Sequence, residues 1–143
     1  MADSIYGRAL AEHNLYPLHR HELENATCRR RGASPSCGDD ITLSLLIRDG
    51  IIEDGAFTGF GCSVSQASAD IMLELVIGGS VEEARELSSL FRKMTEGKAT
   101  AEELEKLGEA AALQKVSEMP ARVKCALLGW QTLESLVAAA LFS

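Results

Sequence analysis

Little in this sequence suits a membrane, nucleic-acid or secreted protein. Aromatic residues are only 5% of the chain, so the core must be built from Leu, Ile, Val and Ala. No stretch is long and apolar enough to span a bilayer. The start, Met1 to Tyr16, carries Asp3, Arg8, Glu12 and His13 and lacks the apolar segment of a secretory leader. A cytoplasmic protein is therefore expected. A basic stripe is also missing. The net charge of −7 argues against nucleic acid and against an anionic membrane surface. The one basic run, Arg29-Arg30-Arg31 near Arg20, reads as a solvated loop or strand end. A local patch for an acidic partner is the other reading.

What is present is enough for one ordinary domain spanning residues 1–143. The hydrophobic fraction is 46%, and 143 residues bury a core without disulfide staples. In a reducing compartment disulfides are rare, so four cysteines admit two readings. They form a metal or redox site, or they are ordinary buried or free thiols.

The hydrophobic pattern changes period along the chain. Residues 2–14 read as a helix with Ile5, Ala9, Leu10 and His13 near one face, ended by Tyr16-Pro17. Residues 18–36 are polar, with a short edge strand expected near 24–31. Ile41, Leu43, Leu45 and Ile47 then alternate with Thr42, Ser44, Leu46 and Arg48. Asp49-Gly50 leads into a second strand, the pattern of a two-residue hairpin. From Ser63 the period is helical, with Val64, Ala67, Ile71 and Leu75 on one face and Gly78-Gly79 as the stop. Ser80-Val81-Glu82-Glu83 and Thr100-Ala101-Glu102-Glu103 are capping boxes that open two further helices. Pro120 opens the last helix, whose buried stripe includes Val123, Trp130, Leu133 and Val137. The fold class is α+β: a small antiparallel sheet of about three strands with helices on one face, and a helical insertion at about 80–115.

Counting outward from the Asp49-Gly50 turn pairs Arg48 with Ile51 and places Cys37 opposite Cys62, with Asp39 on the same strand face as Cys37. Facing residues have Cβ atoms about 4.5–5.5 Å apart, a spacing that suits two thiolates on one zinc ion. A β-bulge would break this register, and Gly55, Gly59 and Gly61 are positions that permit one. Cys62 lies just before a helix, whose first amides favour a thiolate. Cys125 lies early in the last helix, near Arg122 and Lys124. Local counting cannot bring it to the other three, and the spacing matches no paired CxxC pattern. On the residues alone, both readings of the cysteines stay open.

Three motifs decide between them. Ser36-Cys37-Gly38-Asp39, Gly59-Phe60-Gly61-Cys62-Ser63-Val64-Ser65-Gln66-Ala67-Ser68-Ala69, and Pro120-Ala121-Arg122-Val123-Lys124-Cys125-Ala126-Leu127-Leu128-Gly129-Trp130 stand in order over most of the chain. In this the sequence resembles the SufU branch of the IscU/NifU-like family, with a SufE/NifU-like fold. Asn14 and Pro17 stand near that family's tyrosine-asparagine-proline region without reproducing it. The resemblance implies a zinc site of Cys37, Asp39, Cys62 and Cys125. It further implies Cys37 as the acceptor of persulfide sulfur from a SufS-like cysteine desulfurase, and delivery to downstream iron–sulfur assembly proteins. Scaffold members carry a histidine where this chain has Lys124, and that, with the helical insertion, separates it from them. The alternatives are a scaffold holding a nascent iron–sulfur cluster, and a zinc-stabilised interaction module that carries no sulfur.

The remaining candidates have plainer readings. Cys28 lies outside the motifs and reads as a free thiol, or as a resolving partner for Cys37. His13, His19 and His21 read as surface histidines, with a metal cluster as the alternative. Asp40 reads as solvated, or as a competing ligand. Trp130 reads as core.

Overall fold

The computed structural model describes residues 2–34 and 38–141. The chain runs α1 (Ala2–Leu15), β1 (Cys28–Ser34), β2 (Asp39–Arg48), β3 (Ile51–Phe60), α2 (Ser63–Val76), α3 (Val81–Thr95), α4 (Ala101–Leu107), a 3₁₀ segment (Gly108–Glu118) and α5 (Pro120–Leu141). The strands form one antiparallel sheet in the order β1-β2-β3. The architecture is the expected α+β, with α2 and α5 packed on one face of the sheet. Among the described residues, no helix is long and apolar enough to cross a membrane.

The hairpin turn forms as its sequence dictates. Asp49 and Gly50 both take positive φ, 53° and 76°, the conformation of a type I′ turn whose twist suits paired strands. The register then departs from the simple count. Ile47 pairs with Ile52, but Leu46 pairs with Asp54, so Glu53 is an extra residue in β3. This β-bulge shifts every later pair by one, and the ladder ends with Asp40 facing Phe60. The simple count behind the placement of Cys37 opposite Cys62 therefore does not hold along the described ladder, and Cys37 itself lies outside the described residues. The bulge also falls at none of the three glycines. Its physical basis is visible in the core: Ile52 and Phe57, of unlike parity, both face the main core, while Ala56 turns to a second small cluster with Leu23 and Leu46.

The edge strand lies at Cys28–Ser34, a few residues later than expected. Its arginines are tied down within the molecule. Arg29 donates to the Leu23 carbonyl, Arg30 to Ser135 Oγ, and Arg31 to both oxygens of Asp40. The outer side of β3 is covered at both ends. Phe57 N–H donates to the His19 carbonyl at 2.8 Å, and Ile52 N–H to the Gly79 carbonyl at 2.9 Å. An exposed edge is thereby protected from pairing with another chain.

Both expected capping boxes are formed, by Ser80 with Glu83 and by Thr100 with Glu103. The long 3₁₀ segment was not legible in the periodicity. It buries Ala110, Leu113 and Val116 in the main core. α2 and α5 are bound by a buried relay: Trp130 Nε1 donates to Ser68 Oγ at 3.2 Å, and Ser68 Oγ donates to the Ala126 carbonyl at 2.7 Å. Phe91 of α3 stacks on Trp130 with centroids 4.6 Å apart. The relay fixes the slide of α5 along α2, and so decides where Cys125 falls.

Candidate metal centre

The site is built where three elements end or begin. Asp39 opens β2 and is 2% exposed. Cys62 is the N-cap of α2, with extended backbone at φ −71° and ψ 169°. Cys125 lies early in α5, buried at 3%. The metal-ligating atoms of Asp39, Cys62 and Cys125 all lie within 4.8 Å of one another. One carboxylate and two thiolates at that separation suit a single coordination sphere of the kind zinc takes, and sulfur ligands also suit iron–sulfur chemistry. The structure brings Cys125 together with Asp39 and Cys62. Cys37 lies outside the described residues.

Local geometry sets the candidate side chains in place. Asp39 Oδ1 accepts the Cys62 N–H at 2.8 Å, and Asp39 Oδ2 lies 3.9 Å from Cys62 Sγ. Two glycines make this approach possible. Gly59 sits at φ 111°, and a Cβ there would come 2.2 Å from the Asp40 carbonyl oxygen. At Gly61 a Cβ would come 2.9 Å from Asp39 Oδ1 and 2.3 Å from Ser65 Oγ. At the helix start, Cys62 Sγ accepts the Ser65 N–H at 3.5 Å. Cys125 has a different surrounding. Its Sγ lies 4.0 Å from the Ala121 carbonyl oxygen, because a helical side chain leans back toward the preceding turn.

Several candidates are separated from the site. Asp40 is held by both bonds of Arg31, at 2.8 and 2.5 Å, and that guanidinium lowers the carboxyl's pKa. It is engaged away from the ligands. Cys28 faces Leu45, whereas the site lies at the Ser34–Asp39 end of the same strand pair. Six residues of strand separate the two ends, about 20 Å. Burial pushes the Cys28 thiol up, which favours its protonated form.

The histidines do not form a metal cluster, and two of them are more than surface groups. His13 Nδ1 bonds Asp70 Oδ2 at 2.6 Å and its Nε2 bonds Glu109 Oε1 at 2.5 Å, while His19 Nε2 bonds Glu74 Oε2 at 2.6 Å. Asp70 is 1% exposed and also accepts the His19 backbone N–H. His21 bonds the Glu22 carbonyl at the surface.

Two neighbours of the site were not singled out from the sequence. Ser65, wholly buried, stands at the third position of α2 beside Cys62. The signal for it is the spacing: the residue three after an N-cap meets the capping side chain. Tyr6 of α1 packs against the main core. Burial raises the pKa of its phenol, Arg122 opposes, and the Cys62 and Cys125 thiols add to the rise. No local pattern marks Tyr6, because α1 and the thiols are brought together only by tertiary packing.

The NifU-like N terminal domain profile matches residues 5–138. The chain is 40% identical to the iron-sulfur cluster assembly scaffold protein IscU of Thermotoga maritima, over 91% of this chain and 90% of that protein. It is 38% identical to the zinc-dependent sulfurtransferase SufU of Bacillus subtilis, over 95% of this chain and 91% of the relative. Among solved structures it is similar to an iron-sulfur cluster assembly scaffold protein for the SUF system from Fervidobacterium islandicum. The TM-score there is 0.85 at 36% identity, covering 94% of this chain and 98% of that one.

Proposed function

The chain belongs to the NifU-like N-terminal domain family of iron–sulfur cluster assembly proteins, and on that premise we propose that it is a zinc-binding sulfur acceptor working with a cysteine desulfurase in the cytoplasm. The observation that carries this reading is the make-up of the site. Asp39, Cys62 and Cys125 converge, while Lys124, where a scaffold's histidine would stand, is exposed to solvent. The helical stretch at about 80–115, read as an insertion into one domain of residues 1–143, points the same way.

In this reading Asp39, Cys62 and Cys125 hold zinc together with Cys37, two residues before Asp39 and so within about 7.6 Å of it Cα to Cα. A bound zinc keeps its thiol ligands deprotonated and fixes the site's shape. The chain's own residues do the rest. The Cys37 thiolate attacks the terminal sulfur of the desulfurase's cysteine persulfide. A new S–S bond forms at Cys37, the donor's S–S bond breaks, and the donor cysteine leaves as a thiolate. No net oxidation occurs, and the sulfur passes on to downstream iron–sulfur assembly proteins.

The test pairs metal content with sulfur transfer. Wild type should hold near one zinc per chain and stimulate a SufS-like desulfurase, Cys125→Ser should lose the metal, and Cys37→Ala should lose the stimulation. Full activity of Cys37→Ala would sink the acceptor role. The scaffold reading draws on the similarity to IscU. Iron with labile sulfide in anaerobically purified protein would favour it.

A further inference from the structure

Ser65 holds both of its hydrogen-bond donors near Cys62 Sγ. Its amide nitrogen is 3.5 Å from the sulfur and its Oγ is 3.8 Å away, with the side chain wholly buried. The hydroxyl also lies 3.1 Å from the Cys62 carbonyl oxygen. Its single proton can therefore serve either the carbonyl or the sulfur. A protonated thiol needs no second donor, but a metal-bound thiolate has lone pairs to satisfy, and the hydroxyl can turn to it. The surroundings are shaped around this group, since any Cβ at Gly61 would strike Ser65 Oγ.

We propose that Ser65 is a positioning residue that keeps Cys62 on the metal and so bars Cys62 from accepting sulfur. Hydrogen bonds to a ligating sulfur draw off part of its charge, orient it, and make it a weaker nucleophile while it stays bound. Cys62 is thereby committed to holding the ion, and the incoming sulfur is left to Cys37. The inference rests on the sulfur-acceptor reading for its purpose, but its chemistry concerns the chain and its metal alone.

The experiment uses the full chain loaded with zinc, and separately with cobalt as a coloured probe. It compares wild type with Ser65→Ala, Ser65→Thr and Ser65→Val. Threonine and valine match in shape and differ by the hydroxyl. Loss of the hydroxyl in Ala and Val should speed zinc release to a chelator about tenfold, the low end for partners of metal ligands. It should also shift the sulfur-to-cobalt charge-transfer absorption. Threonine should restore both. After incubation with desulfurase and cysteine, mapping by mass spectrometry should find persulfide on Cys62 in Ser65→Ala and on Cys37 in wild type. Equal zinc release and equal cobalt spectra in wild type and Ser65→Ala would overturn the proposal. Threonine behaving as valine does would also overturn it, since packing would then explain the effect. If no persulfide forms on wild type, the acceptor reading fails, while the zinc and cobalt measurements still decide the role of Ser65.

Discussion

At the scale of single residues, the site depends on groups that carry no chemistry of their own. Gly59 is the sharpest case, because its positive φ and its 2.2 Å Cβ clearance from the Asp40 carbonyl leave no room for a side chain. Gly59→Ala should cost about 1–3 kcal/mol, the range for a residue forced into sparsely populated backbone. Urea unfolding followed by the emission of Trp130, the single tryptophan, would measure it. Zinc affinity should fall in the same variant, since the strand end that presents Asp39 would shift. Asp40 and Asp39 are adjacent in sequence yet have opposite fates: one is paired with Arg31 and the other is turned inward to Cys62. Strand alternation sends the two neighbouring carboxylates to opposite sides of the sheet, and that alternation is legible in the sequence.

At the scale of elements, α1 is fastened by His13, which joins α2 through Asp70 and the 3₁₀ segment through Glu109. Burial pulls the His13 pKa down, but the bonds to Glu109 and Asp70 outweigh it and the net shift is upward. A histidine with a raised folded-state pKa stabilises fully below its unfolded value of about 6.5, and that contribution disappears as pH rises through the folded value. The surroundings reinforce the sign. Glu12 on α1, Glu74 on α2 and Glu109 line the same cleft with Asp70, and His19 is engaged with Glu74. The urea midpoint should therefore fall from pH 6 toward pH 8.5, and His13→Gln should flatten that dependence. A wild-type midpoint that rises over this interval would refute the clamp. The elements themselves were largely legible. Helix starts at Ser80 and Thr100 and the Asp49-Gly50 turn are encoded by residues in direct contact. The bulge was not, because Glu53 bears no mark that distinguishes it from any strand residue. What selects it is the need to bury both Ile52 and Phe57.

For the molecule as a whole, the question is whether the metal makes the fold or the fold makes the site. The core runs through the sheet and helices and is mostly aliphatic, with Cys125 one member and Cys62 at its margin, and the Trp130–Ser68–Ala126 relay joins α2 to α5 by hydrogen bonds. Removing zinc should therefore lower the melting temperature by mass action and leave a cooperatively folded protein. Calorimetry with and without chelator would check this, and a chain that unfolds on zinc removal would favour the interaction-module reading. Phe91→Ala should cost about 3–5 kcal/mol, because it removes a wholly buried ring stacked on Trp130. The convergence of Cys125 with Cys62 shows the limit of sequence reading here. It depends on how far α5 slides along α2, a distance set by Trp130 and Ser68, neither of which has any local tie to a thiol.

The extra residue at Glu53 turns the second arm of the hairpin into a ruler with an odd division. From the Asp49-Gly50 turn to Cys62 the chain must measure one residue more than an even ladder would need. A lone deletion between Ile52 and Phe57 would exchange the inward and outward phases beyond it, sending Phe57 to the outside and carrying Cys62 past Asp39. Lengths there can drift only two at a time. Any working descendant of this protein is freer to change the letters of the arm than to change its count.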